Sequence, residues 1–214
     1  MLGYVNNAFE GWVTESHGAE TWKRIARRLD MSAFVGPEEY DDAVTSELAE
    51  AVASETGLRV EDLLGRVGEF LGRSAFHGLR VLLDAGGSDF RELVHRLPDL
   101  QTRLELIAPA ILPQGRPRRF SIATGGRNSL SIIHFSSRPD LSPLFAGTLT
   151  GLASMFGIDA RVSARAVSSE IGPCQEYRVQ WRARGRAKER KKDPKPSSPA
   201  PRRRGKAEAR PAAH

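Results

Sequence analysis

The sequence predicts an α+β fold in which a helical N-terminal part precedes an antiparallel sheet with an intervening helix. Three observations predict it. Apolar residues recur at helical spacing through roughly the first 110 residues. Two pairs of β-branched or alternating segments follow, and an uncharged eighteen-residue stretch separates the pairs.

The helical part carries breaks at Gly18, at Val35 to Pro37, at Gly57 and at Gly86-Gly87. A helix from Ser88 to about Ala108 follows. Its Phe90, Leu93, Val94, Leu97, Leu100, Leu104 and Ile107 repeat at spacings of three and four and form one core-facing stripe. Gln101 adjoins that stripe, so a core-facing or pocket-facing amide is expected there, whereas the 3.6-residue period turns His95 off that face toward solvent. Pro98 lies inside the helix and is expected to kink it or to remove a hydrogen bond.

Arg119–Ala123 and Ser129–Phe135 flank Gly125-Gly126-Arg127-Asn128, which reads as a hairpin. Leu141 to Ile158 carries no charge and sits at the lower length limit for a membrane span, but its glycines, Ser142, Pro143 and Thr150 favour a buried helix. Ala160–Val167 and Glu176–Trp181 then alternate apolar with polar, as half-buried antiparallel strands do.

Charge divides the chain of 214 residues. Of its 32 Lys/Arg and 26 Asp/Glu, 13 and 3 follow Trp181, so the last segment carries net +10 and the body net −4. Residues 182–214 have almost no apolar surface to offset the entropy of ordering, so a disordered basic tail is expected beyond a domain spanning 1–181. Clusters such as Arg202 to Arg204 suit nucleic acid or an anionic surface, bound non-specifically because no aromatic residue is interleaved. A single cysteine, Cys174, excludes an intramolecular disulfide and a Cys-rich metal site. Glu10, Glu15 and Glu20 interrupt every early apolar run, so no signal peptide is read and a cytoplasmic setting is expected. No nucleophile–base pair, paired carboxylates or phosphate-binding glycine loop stands out, which argues against an enzyme.

The opening MLGYVNNAFEGWVTESHGAETWKRI, with Gly3, Val5, Asn6, Glu10, Gly18 and Trp22, resembles the start of haem nitric-oxide/oxygen-binding (H-NOX) domains. HGLRVLLDAGGSDFRELVHRLPDLQTRL resembles their distal segment and haem-bearing helix. HFSSR, before an apolar helix, stands where the family carries its YxSxR propionate clamp. The resemblance covers about residues 1 to 181 and implies a non-catalytic sensory or regulatory domain that binds haem b, senses a diatomic gas and signals to a separate partner protein.

Two positions depart from the family pattern. The proximal histidine falls on Gln101, and the clamp tyrosine on His134, with Ser136 and Arg138 kept. An amide is a poor iron ligand beside an imidazole, so weak or absent haem binding is expected. Arg138 can still fork onto a carboxylate, or it can serve a structural salt bridge. His134 can hydrogen-bond a propionate or supply an unusual axial nitrogen, and His77 falls in the distal segment. Pro139 to Leu144 lacks the tyrosine of the oxygen-binding members, which implies nitric-oxide selectivity if haem is bound. The rival reading is a haem-free ligand-binding or interaction scaffold that kept the fold.

Overall fold

The computed structural model describes residues 1, 3–31, 33–36, 38–78, 89–107, 120–135, 138–169 and 172–183; the side chains of 75–78, 100–107, 124, 169 and 173 also lie outside the description. The expected tail of 182–214 lies beyond the described residues from position 184 on, while Arg182 and Ala183 belong to a strand. Residues 1–184 form one compact unit.

Six α-helices occur among the described residues: α1 (Gly3–His17), α2 (Ala19–Arg28), α3 (Asp42–Thr56), α4 (Val60–Gly78), α5 (Phe90–Ile107) and α6 (Ser142–Met155). The strands are β1 (Phe120–Thr124), β2 (Ser129–Phe135), β3 (Ile158–Ser169) and β4 (Gly172–Ala183). Side chains start two of the helices. Asp41 Oδ1 accepts the Ala43 N–H at 2.8 Å to cap α3, and Asp89 Oδ1 accepts the Glu92 N–H at 2.8 Å to open α5. Gly57, at φ 71°, ends α3 in the left-handed conformation that costs glycine least. α5 runs on through Pro98.

All strand pairings are antiparallel, in the order β1-β2-β4-β3, so two hairpins lie side by side. The first turns over Gly126, whose N–H donates to Ser129 Oγ at 2.8 Å. β3 and β4 extend beyond the segments read from alternation, and β4 runs two residues past Trp181. Backbone pairing places no demand on side-chain polarity, so Asp159↔Arg182 pairs as a rung that an apolar/polar pattern leaves out.

Two hydrophobic clusters form. One packs α1 to α4 around Phe9, Val13, Leu48, Val52, Leu63 and Val67, and the other packs Phe90 and Val94 of α5 on Leu130, Ile132, Tyr177 and Val179 of the sheet. α6 serves both: Leu144 joins the first, Leu149 and Ala153 the second. A helix covered on opposite sides has no place for a charge, which explains its composition.

Glycines let α4 and α6 approach backbone to backbone. A Cβ on Gly68 would lie 2.0 Å from Leu144 O, and one on Gly147 2.1 Å from Gly65 O. Among the described residues no helix is long and apolar enough to cross a membrane.

Candidate cofactor site

β2 carries His134 opposite Phe120 of β1 and Gln175 of β4. Cross-strand register brings the Phe120 and His134 rings together, stacked with centroids 4.8 Å apart, and Phe145 of α6 closes on His134 at the same distance. Tyr177 meets Phe145 edge-on at 4.8 Å and lies 6.3 Å from His134. Burial pushes the Tyr177 phenol up, against a smaller opposing pull from its hydrogen bond with Ser142. His134 is therefore half-buried among aromatic rings on the inner sheet face.

Arg138 stands just before the short 3-10 helix Pro139–Leu141. Its Nε donates to Asp140 Oδ1 at 3.0 Å and its Nη2 to Asp140 Oδ2 at 2.6 Å, a bidentate fork. Nη2 also donates to Ser46 Oγ at 2.8 Å, and Nη1 lies 3.4 Å from Asp42 Oδ2. Asp42 and Ser46 sit in the opening turns of α3, so Arg138 ties the sheet-to-α6 connection to the helical part. The Arg138 hydrogen bond holds the Asp140 carboxyl below the usual range. The Met1 ammonium, 2.9 Å away, does the same for Asp42, with Arg138 adding to it.

Ser136 lies outside the described residues. Position 101 is on α5 and His77 on α4, but neither side chain is described. His95 is exposed, as its helical phase requires, while Phe90, Leu93 and Val94 are buried. Among the described residues no group of three His, Cys, Asp or Glu is placed to hold a metal ion. A separate open cleft of about 490 Å³ between α4, α6 and β3 is lined by Glu61, Asp62, Arg66, Glu69 and Thr150, and includes neither His134 nor Arg138.

Sequence reasoning missed Asp140, Asp42 and Ser46 as partners of Arg138. Asp140 was visible as the next charge along the chain; Asp42 and Ser46 are 96 and 92 residues away from Arg138 and become neighbours only on folding. It also missed Glu176, whose side chain is 11% exposed on the outer sheet face. Hydrogen bonds from Ser131 (2.6 Å) and Arg165, with Arg178 at 3.3 Å, hold its pKa down from 4.5 to about 2. A carboxyl depressed on folding contributes stability that is complete above its ordinary pKa and is lost as pH falls toward the folded one. Wild-type protein is therefore expected to lose melting temperature between pH 5 and pH 2.5 through this group. Glu176→Gln should melt lower at pH 6 and show a shallower acid decline; parallel pH profiles for the two proteins would refute this.

Comparison with known proteins gives the family of this α+β domain. The family model for Haem-NO-binding domains matches residues 2–164. The chain belongs to this family. It is 25% identical over 160 residues to the soluble guanylate cyclase gcy-35 of Caenorhabditis elegans, covering 72% of this chain and 22% of that one. It is 23% identical over 172 residues to gcy-37 of the same organism, covering 76% and 23%. The chain thus spans less than a quarter of the length of these curated relatives.

An H-NOX protein from S. oneidensis in the Fe(II)NO ligation state superimposes with TM-score 0.70 at 17% identity, covering 85% of this chain and 99% of that one. The Fe(II) unliganded H-NOX protein from K. algicida gives 0.66 at 18%, covering 85% and 97%. At these identities the structures establish the α+β fold.

The family's cofactor is haem, and the positions described here do not fit it as the clamp would hold it. Arg138 already forks onto Asp140, and His134 is packed among Phe120, Phe145 and Tyr177. The residue at position 101 is an amide, a poor donor to iron.

Proposed function

We propose that this chain is a non-catalytic sensory or regulatory domain that signals to a separate partner protein and has weak or no affinity for haem. The observation that carries this reading is Gln101, which stands at the proximal-ligand position of an ungapped resemblance. The fork between Arg138 and Asp140 supports it, because a propionate would have to displace a carboxylate already in place. Membership of a sensor family supports the regulatory role, and the guanylate cyclase relatives suggest an effector on another chain or domain as its reader. Haem, where bound, would be haem b, with Ser136 and Arg138 at its propionates and nitric oxide rather than oxygen as the gas.

The deciding measurement is an absorption spectrum of the protein expressed and purified with haem supplied. Little or no Soret absorbance is expected. A stoichiometric band with an imidazole-type spectrum would overturn the weak-binding reading and assign the axial nitrogen to His134 or His77. Absence of any effect of the protein on a co-expressed cyclase or kinase partner would count against the regulatory role.

A further inference from the structure

We propose that the outer face of the β3–β4 hairpin binds the phosphodiester backbone of single-stranded nucleic acid, an activity that goes beyond the proposed regulatory role and does not depend on haem. The register carries the argument. Four successive rungs on that face are Asp159↔Arg182, Arg161↔Gln180, Ser163↔Arg178 and Arg165↔Glu176. Each rung contributes one arginine, alternately from β4 and β3. Same-face rungs are two residues apart, so the guanidinium-bearing positions form a zigzag with a pitch of about 6.7 Å and a length of about 20 Å.

The arginines are available. Arg165 and Arg178 are each 60% exposed and Arg182 is 85% exposed. Arg161 is exposed and makes no ion pair among the described residues. Arg182 approaches Asp159 only at 4.0 Å. Glu176, tucked beneath Arg165 and Arg178, takes one interaction from each and so fixes both side chains while cancelling a single charge. The strip keeps a net positive charge on a body that is net negative, and Arg182 is also the first residue of the segment with net +10.

Flexibility and chemistry choose the ligand. A flexible single strand can follow a twisted strip of this length, whereas a stiff duplex meets it over a short arc only. The arginine fork suits phosphate. Around the ladder stand Ser131, Ser163 and Gln180, while half-buried Ile133 lies beside Glu176 and half-buried Phe135 and Val167 lie one rung beyond, so the apolar residues sit at one end and the arginines run the length of the strip. Recognition should follow the backbone and ignore sequence.

The test uses the full chain and a labelled oligothymidylate, with affinity measured against salt, beside the Arg161→Ser/Arg178→Ser variant. Loss of two phosphate contacts should flatten the slope of log K against log salt by about 1.4. If the double variant melts lower, Arg161→Ser alone, which breaks no ion pair, should flatten it by about 0.7. A slope equal to that of wild type would overturn the proposal and leave any affinity to the segment after Trp181. Equal or tighter binding of a duplex of the same length would refute the choice of a single strand. A variant that loses binding only to phosphatidylserine vesicles, or only to an acidic peptide, would assign the face to those partners instead. Weakened and flattened binding to single-stranded DNA, with duplex and vesicles bound less well, is the expected result.

Discussion

Gly147→Val is expected to destabilise the protein by about 3 kcal/mol, near the upper end of the cost of overpacking a core. The cause is geometric: a Cβ at position 147 would sit 2.1 Å from Gly65 O and 2.9 Å from Glu69 N, both backbone atoms that cannot swing aside. α4 and α6 would have to part, and α6 links the helical cluster to the sheet cluster, so both would loosen. For a domain of this size that corresponds to a fall in melting temperature of about 9 °C. Gly65 supplies the opposing control. It lies in α4 beside the same crossing, but its own Cβ would meet nothing within 4 Å. Gly65→Ala should therefore stabilise by up to about 1 kcal/mol, the ordinary helix-propensity gain. Both variants are read by thermal melting, and a neutral Gly147→Val would mean that the two helices are not in backbone contact.

These glycines also show how much of the fold could be read beforehand. The uncharged stretch around Gly147 and Gly151 was legible as a buried helix because burial leaves a compositional mark. Its partner was not legible, since Gly65, Gly68 and Gly72 occupy a face of α4 whose role depends on what crosses it. Helix breaks at Gly18 and Gly57 followed from backbone conformation, and both glycines have positive φ. The strand cores of β2 and β4 followed from alternation, while the polar ends of β3 and β4 escaped because pairing there is a matter of backbone register. At the candidate site the sequence located His134 and Arg138 but not their company. The stacking of His134 on Phe120 depends on hairpin register, and the tie from Arg138 to Asp42 and Ser46 joins segments more than 90 residues apart. The reading of position 101 as a ligand position rests on resemblance alone, because nothing in a helical period distinguishes a ligand from a neighbouring core residue.

Gln101→His is expected to turn a protein with little or no Soret absorbance into one that takes up haem, since the change supplies an imidazole nitrogen at the position proposed for the family's ligand histidine. The second obstacle is the Arg138 fork, held by Asp140 at 3.0 and 2.6 Å. Asp140→Asn removes the competing negative charge while keeping the size of the side chain, and Ser46 remains to orient the guanidinium. Adding Asp140→Asn to Gln101→His should tighten haem binding by about tenfold, as expected for one outer-shell partner of a cofactor site. Asp140→Asn alone should leave the spectrum unchanged, because it provides no ligand to iron. The measurement is a haem titration followed at the Soret band for the two single variants and the double variant. An imidazole-type band in Gln101→His that strengthens in the double variant would show that one axial ligand and one displaced carboxylate separate this chain from a haem sensor. If the double variant takes up no haem, the space is filled by side chains such as Phe120, Phe145 and Tyr177, and the domain works as a haem-free scaffold.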